Sequence, residues 1–214
     1  MSVLLDIQDL TTYFYSGQGV VKAVNELSLK VQKGETLGVV GESGSGKSVT
    51  ALSILRLVNH PGYIVNGRVF FDGVDLMNIS DKEIRSIRGK RIAMVFQEPM
   101  TSLNPVLTIE RQLSEAIQLH MGLSRDVARK RSIELLEKVG IPDPSKRIND
   151  FPHLLSGGMR QRVMIAMALS CNPDLIIADE PTTAVDVTIQ AQLLELMKKL
   201  TEESGTTLMI ISHN

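Results

Sequence analysis

The chain has 214 residues, a formal net charge of −1 and a hydrophobic content of 43%, which is enough for one globular domain with an inserted subdomain. The near-neutral charge gives no electrostatic reason to expect binding to nucleic acid or to an acidic membrane surface. The single cysteine, Cys171, excludes an internal disulfide and a metal site made only of cysteines. No apolar run reaches the ~18 residues of a membrane span. We expect no signal peptide, because no basic stretch followed by an apolar core is found at the start.

The first thirty residues favour two strands, at 3–15 and 20–31, separated by a turn that contains two glycines. Apolar and polar residues alternate from Ile7 onward, which is typical of a sheet with one covered face. Tyr13, Phe14 and Tyr15 form an aromatic cluster at the end of the first strand. Packing within the hairpin explains such a cluster as well as ligand binding does.

The next segment predicts a phosphate-binding loop between a strand at 36–40 and a helix at 49–57. It fits G-x-x-x-x-G-K-[S/T] without a mismatch, and its glycines allow backbone N–H groups to point inward at a phosphate chain. Lys47 can reach the β- and γ-phosphates, and the Ser48 hydroxyl can hold Mg²⁺. A Gly/Ser-rich turn before a lysine is the simpler alternative, but the strand and helix on either side favour nucleotide binding. The loop comprises Gly41, Glu42, Ser43, Gly44, Ser45, Gly46, Lys47 and Ser48.

The middle of the chain changes from strands to helices. Strands are predicted at 64–71 and 91–96, and the second of them delivers Gln97 at its carboxyl end. Between them, Ser80 and Glu83 have capping-box spacing and open a short helix. No strand signal is present between about 98 and 160, so we predict that a helical insertion interrupts the α/β pattern.

A second glycine turn follows at Ser156, Gly157 and Gly158 and opens a predicted helix at 160–170. A hydroxyl and free N–H groups at a helix N-terminus can bind an anion. The alternative is an ordinary helix cap.

An apolar strand at 175–178 ends in Asp179 and Glu180, which is the Walker B pattern. Asp179 can accept Mg²⁺ or its bound water, and Glu180 can position an attacking water. Two acids at a strand end are often loop residues, but the phosphate loop earlier in the chain favours the functional interpretation. An amphipathic helix at 188–203 and a buried strand at 206–211 then deliver His213, which would be unremarkable by itself.

Taken together, these motifs resemble the nucleotide-binding domain of ATP-binding-cassette (ABC) transporters. The resemblance rests on their order, which continues after the Walker B acids with the segment 183–186 and then His213. The wording of segments 156–169 and 180–184 is similar to the dipeptide/oligopeptide importer branch, with nickel importers close to it. Met159 stands where the wider family usually has Gln.

The resemblance implies an α/β fold: a P-loop NTPase (RecA-like) core with an N-terminal antiparallel β region and an inserted all-helical subdomain. The chain would be one nucleotide-binding domain over 1–214, with the helical subdomain at about 98–160 inserted between core segments 1–97 and 161–214. It would also be truncated, because the family continues for several dozen residues beyond the position of Asn214.

The resemblance also assigns roles in binding ATP and Mg²⁺. Phe14 would stack on adenine, with Tyr13 and Tyr15 as alternatives, and Gln97 would contact Mg²⁺ or the attacking water. His213 would contact the γ-phosphate. Across a dimer interface, the γ-phosphate held by an opposing domain would meet four further residues: Ser156, Gly157, Gly158 and Asp186.

The implied function is an ATPase that powers import of di- or oligopeptides through separate transmembrane permease subunits. The implied partners are an identical or homologous ATPase subunit, the permease and, indirectly, an extracytoplasmic solute-binding protein, without nucleic acid. The implied location is the cytoplasmic face of the membrane, as a peripheral protein. The alternatives are an importer of nickel or another small solute, and a soluble ABC ATPase that drives no transport.

Overall fold

We describe the fold from a computed structural model, over residues 2–17, 19–97, 102–182 and 187–213. The fold combines a set of antiparallel strands, a set of parallel strands and helices that pack against them. The strands are β1 (Val3–Ser16), β2 (Gly19–Gln32), β3 (Thr36–Val40), β4 (Gly62–Phe71), β5 (Val74–Asp75), β6 (Ile92–Val95), β7 (Leu175–Asp179) and β8 (Thr207–Ser212). The helices are α1 (Lys47–Ile54), α2 (Asp81–Ile87), α3 (Ile109–Met121), α4 (Arg125–Lys138), α5 (Pro144–Arg147), α6 (Gly157–Leu169) and α7 (Val187–Ser204).

The strands form two sheets of different character. β2, β1, β4 and β5 lie side by side and pair antiparallel, as the alternation near the N-terminus predicts. The second sheet has the order β3-β8-β7-β6, and its strands are all parallel. Because β7 is covered on both faces, each of its residues is buried, which explains its uninterrupted apolar sequence.

One apolar core lies between the two sheets and around α1. It includes Leu5 and Phe71 from the antiparallel sheet, Ile54 from α1, and Ile177 from the parallel sheet, all at most 1% exposed. This core fixes α1, and therefore the loop that precedes it, against both sheets.

A second core joins the other face of the parallel sheet to the helices of the middle segment. Ile109, Leu136, Ile165 and Ala178 are buried together in it. The described residues between 102 and 160 contain no strand, in line with the predicted helical character of this segment. The domain bounds, a helical subdomain at about 98–160 between core segments 1–97 and 161–214, remain a prediction.

Helix α1 is shorter than the sequence predicts. Helical spacing of apolar residues continues to Leu57, but the helix ends at Ile54, and Arg56 has a φ of 52°. The Arg88 guanidinium donates to the carbonyl oxygens of Leu55 and Arg56, at 2.8 and 2.9 Å. A cation that binds the last free carbonyls stabilises a helix end, and this contact comes from a distant part of the sequence.

A buried hydroxyl pair joins the antiparallel sheet to α1. Thr12 on β1 and Ser53 on α1 have no exposed surface, and their Oγ atoms lie 2.8 Å apart. Ser53 also donates to the Val49 carbonyl oxygen at 2.7 Å, so Thr12 is the donor to Ser53.

We expect Thr12→Val to lower the free energy of unfolding by about 1 kcal/mol, because it removes one buried hydrogen bond and keeps the side-chain shape. Urea unfolding measures the change. Ser53→Ala is the partner variant, and the double variant should cost less than the sum of the two single changes. Additive costs would show that the two hydroxyls do not stabilise each other.

Candidate functional site

The carboxyl ends of the four parallel strands meet at one edge of the sheet. Val40 pairs with Ser212, Ile211 with Asp179, and Ala178 with Val95, so the residues after these strands are neighbours. They line a cavity of about 450 Å³ together with Ala23 on β2. Its other walls are residues 43–49, Gln97, Glu180 and His213. The structure therefore brings together the phosphate loop and three side chains that the sequence analysis selected.

The phosphate loop surrounds the Lys47 ammonium group with oxygen atoms. Nζ lies 2.6 Å from the Gly41 carbonyl oxygen, 2.8 Å from that of Glu42 and 3.4 Å from Ser45 Oγ. The lysine is 9% exposed, so its charge lies at the floor of the cavity and not in bulk solvent. A cation held in this way is ready to meet an anion that enters the loop.

Two glycines of the loop adopt backbone conformations that other residues rarely adopt. Gly44 has a φ of 81° and Gly46 a φ of 90°. A Cβ atom on Gly46 would lie 2.0 Å from the carbonyl oxygen of Ala23, which is a backbone atom of β2. A Cβ atom on Gly44 would meet nothing within 4 Å. The loop thus depends on glycine at 46 for space as well as for conformation.

A hydroxyl and a carboxylate lie next to the lysine. Ser48 Oγ donates to Asp179 Oδ1 at 2.9 Å, which joins the start of α1 to the end of β7. Burial raises the pKa of the Asp179 carboxyl, and the hydrogen bond from Ser48 offsets part of that effect. Oxygen donors of these two kinds suit Mg²⁺, and a cation there would stabilise the ionised carboxylate.

Glu180, the next residue, has an uncommon backbone conformation, and its side chain contacts Gln97 and His213. Its φ is 46°, in the left-handed region, and its side chain is 14% exposed. Oε2 accepts a hydrogen bond from Gln97 Nε2 at 2.8 Å and lies 3.1 Å from His213 Nδ1. The carboxylate is thereby held at the cavity wall by side chains that follow β6 and β8.

The second glycine turn does not line this cavity. Ser156 is the N-cap of α6, and its Oγ accepts from the Met159 N–H at 3.3 Å. Gly157 and Gly158 form the first turn of that helix, which begins earlier than the predicted Arg160. A Cβ atom on Gly158 would lie 3.5 Å from the Ile189 side chain, an ordinary van der Waals distance, so this glycine faces α7 without being crowded by it.

Phe14 and its alternative Tyr13, the residues predicted to stack on adenine, do not line the cavity. Phe14 is half-buried, and its ring faces Gly62, where a Cβ atom would lie 2.7 Å from the ring. The ring is on β1, and the described residues that line the cavity do not include it. Tyr13 donates its hydroxyl to Asn25 Oδ1 at 2.9 Å. Asp186 lies outside the described residues.

Comparison with known protein families decides the assignment of the chain. The profile of the family described as "ABC transporter" matches residues 24–183. The chain belongs to the ABC transporter family. The matched range contains the phosphate loop, the Ser156 turn and the two acids at the end of β7, and the recognition made from the sequence motifs is confirmed.

Its relatives in this family are named as peptide transport proteins. The chain is 54% identical to the probable peptide ABC transporter ATP-binding protein y4tR of Sinorhizobium fredii, over 99% of this chain and 64% of that protein. It is 53% identical to the oligopeptide transport ATP-binding protein OppD of Bacillus subtilis, over 99% and 59%. It is 50% identical to the dipeptide transport ATP-binding protein DppD of Escherichia coli, over 99% and 64%. The chain thus spans about 60% of the length of these relatives.

Solved structures of the family share its fold. The ATP-binding cassette MJ0796, in a dimeric post-hydrolysis state bound to ADP and Pi, superposes with a TM-score of 0.87. The two sequences are 31% identical, and the match covers 99% of this chain and 88% of that one. The predicted fold class, an α/β P-loop NTPase core with an antiparallel β region and a helical insertion, is confirmed. Among the described residues, no helix combines the length and the apolar character that a membrane span requires.

Sequence reasoning missed the contribution of β2 to the cavity. Ala23 acts through its backbone carbonyl, which lies against Gly46 and the floor of the loop. A backbone group leaves no signal in the residue type at its own position. The sequence motif showed that position 46 requires glycine, but it did not show that the Ala23 carbonyl oxygen is the atom that leaves no space for a side chain.

We expect Gly46→Ala to destabilise the chain more than Gly44→Ala does. Both changes place a side chain in the left-handed region, which costs about 1–2 kcal/mol. Only the change at 46 also drives a methyl group into the Ala23 carbonyl oxygen. Urea unfolding of the two variants measures the difference, and equal losses would contradict the close approach of β2.

Asp179 predicts a pH-dependent stability, since burial raises the pKa of its carboxyl in the folded state. The folded state therefore binds more protons than the unfolded state between the two pKa values, and stability is lost as the pH rises through that window. Asp179→Asn stays neutral, so we expect it to be more stable than the wild type at pH 7.5 without nucleotide. The gain should disappear below the unfolded pKa of about 3.9. Urea unfolding across this pH range measures it, and a gain that is constant with pH would exclude the carboxyl as its source.

Proposed function

We propose that the chain is the ATP-binding and ATP-hydrolysing part of an importer of di- or oligopeptides. The observation that carries the proposal is the convergence of Lys47, Asp179 and Glu180 at one edge of the parallel sheet. Transfer of a phosphoryl group to water requires a cation for the phosphates, oxygen ligands for Mg²⁺ and a carboxylate that positions the water. Lys47, the pair of Ser48 and Asp179, and Glu180 would supply these three groups. The names of the relatives favour peptides over nickel as the cargo.

Lys47 would bind the terminal phosphates of ATP. Its ammonium group would exchange the carbonyl oxygens of Gly41 and Glu42 for phosphate oxygens as the nucleotide enters. The loop N–H groups and the N-terminus of α1 would supply further donors. Phe14 remains the proposed residue for adenine, and its ring would need to meet the base beyond the cavity wall.

Ser48 and Asp179 would hold Mg²⁺, whose chemistry is to neutralise charge on the phosphate oxygens. Their oxygen atoms are 2.9 Å apart and join the start of α1 to the end of β7, so the two ligands are held side by side. Gln97 would be a further ligand through its amide oxygen, because its Nε2 already donates to Glu180.

Glu180 would orient the attacking water. Its carboxylate lies at the wall of the cavity, where Oε2 accepts from Gln97 and lies close to His213, and a carboxylate in this place can accept a hydrogen bond from water. Gln97 and His213 would fix the carboxylate in direction, and His213 would also reach the γ-phosphate.

A second ATPase subunit would complete the site. The Ser156 turn lies away from the cavity of its own chain, while its helix N-terminus is suited to bind an anion. The similar cassette MJ0796 is described as dimeric. An identical or homologous partner would therefore place Ser156, Gly157 and Gly158 over the nucleotide, with Asp186 at the interface. Permease subunits would hold this dimer at the cytoplasmic face of the membrane, with a solute-binding protein acting indirectly.

The test uses the full-length protein and Glu180→Gln, which keeps the side-chain shape and removes the negative charge. We expect ATP affinity in titration calorimetry to remain within about twofold, and phosphate release to fall by about 100-fold or more. In cells with the permease, uptake of a labelled dipeptide should fall in parallel. With ATP, the variant should sediment as a dimer, because the nucleotide is not consumed.

Each arm can fail separately. Wild-type protein that neither binds nor hydrolyses ATP would overturn the whole proposal. Hydrolysis that survives in Glu180→Gln would move the catalytic role to another residue. If the protein hydrolyses ATP and the cells take up a metal ion but no dipeptide, the cargo is a metal ion and the proposal of peptide import is wrong.

A further inference from the structure

A buried glutamine joins helix α6 to the residue after Glu180. Gln161 is 1% exposed, and its Nε2 donates to the carbonyl oxygen of Pro181. This side chain is not used in the mechanism above and does not line the cavity. Its Oε1 is buried and has no hydrogen-bond partner among the described residues. The bond from Nε2 to Pro181 is therefore the polar contact that explains why an amide is buried here.

The bond lies where the backbone of the catalytic acid needs support. Glu180 has a left-handed φ of 46°, a conformation that is uncommon for a glutamate and that the surrounding structure has to support. On the N-terminal side, the Glu180 N–H donates to the Ile211 carbonyl oxygen at 3.0 Å. On the C-terminal side, Pro181 has no N–H, so its carbonyl is the backbone group through which the turn can be held. Gln161 donates the hydrogen bond that fixes this carbonyl.

The same glutamine is close to the Ser156 turn. It lies five residues after Ser156 on α6, or about 7 Å along the helix axis. In the first turn of that helix, Gly158 packs against Ile189 on α7. Helix α6 thus contacts the chain on both sides of the segment that follows Glu180.

We infer that Gln161 is a positioning residue that keeps Glu180 in its catalytic conformation. Without the donor, the buried Pro181 carbonyl would lack its partner, and the turn would relax toward an ordinary φ. The Glu180 carboxylate would then move away from Gln97 and His213. The inference rests on the proposed function, because it assigns a role in the hydrolysis that Glu180 is proposed to assist.

The test compares Gln161→Leu with the wild type in the full-length protein. We expect kcat for ATP hydrolysis to fall by about tenfold while KM and the calorimetric Kd for ATP change by less than about twofold. Binding should persist because Gln161 lies outside the cavity that contains Lys47. In the absence of nucleotide, the Glu180 amide should exchange its hydrogen about tenfold faster, since the bond to Ile211 loses its support.

Gln112 is a matched control. It is 8% exposed, and its Nε2 donates to the carbonyl oxygens of Asn104 and Leu107, each at 3.0 Å. Gln112→Leu likewise removes a buried amide that donates to backbone carbonyl oxygens, together with the bond that its Oε1 accepts from the Asn104 N–H at 2.9 Å, and it does not touch the turn at Pro181. It should lower the unfolding midpoint and leave kcat and the exchange of the Glu180 amide unchanged.

Gln161→Glu gives an independent measurement if the leucine variant does not fold. A buried carboxyl has a raised pKa, and its protonated form can donate an O–H to the Pro181 carbonyl. The kcat of this variant, relative to the wild type, should therefore recover as the pH is lowered from 8.5 to 6.5. The ratio of Gln112→Leu to the wild type should not change over the same range.

Several results would overturn the inference. A Gln161→Leu protein with wild-type kcat would do so, as would an equal loss of kcat in Gln112→Leu or a pH-independent ratio for Gln161→Glu. A wild-type protein without ATPase activity would instead refute the proposed function. Exchange of the Glu180 amide would still decide the role of Gln161 in that case, because it needs no nucleotide.

Discussion

Parallel pairing of β3, β8 and β7 fixes the relative height of three loops, and the candidate site depends on that register. Val40 pairs with Ser212, and Ile211 pairs with Asp179, which places the loop after β3 beside the acids at the end of β7. A shift of one residue along any of these strands would move the next loop by about 3.3 Å. Such a shift would separate Ser48 from Asp179, whose side chains are now 2.9 Å apart.

The sequence predicted the site residues that lie at or just after the carboxyl ends of the parallel strands. The phosphate loop, Asp179 and Glu180 each follow a strand, and strands of one parallel sheet end at one edge. Gln97 and His213 also follow strands, so the sequence placed them near the acids before any distance was known. The helical character between 102 and 160 was likewise visible from the change in apolar spacing.

Contacts between distant parts of the chain were not predictable. The end of α1 is set by Arg88, the shape of the loop by the Ala23 carbonyl, and the turn at Pro181 by Gln161. Each of these joins groups that lie 20 or more residues apart, and in each at least one partner is a backbone atom that residue type does not reveal. The left-handed φ of Glu180 was also hidden, because a glutamate carries no preference for it.

The oxygen atoms around Lys47 have a consequence for ligand choice. An ammonium group has three protons, and three oxygen atoms of the loop lie within hydrogen-bond distance of it. Ligand entry is therefore a competition between neutral oxygens of the loop and oxygens of the ligand. A neutral sugar or alcohol would gain little from such an exchange, whereas a phosphate chain adds full negative charge in a partly buried setting. The hydrogen bonds between Lys47 and the loop oxygens therefore favour anionic ligands. A ligand binds only if its interaction with the ammonium group is stronger than these hydrogen bonds.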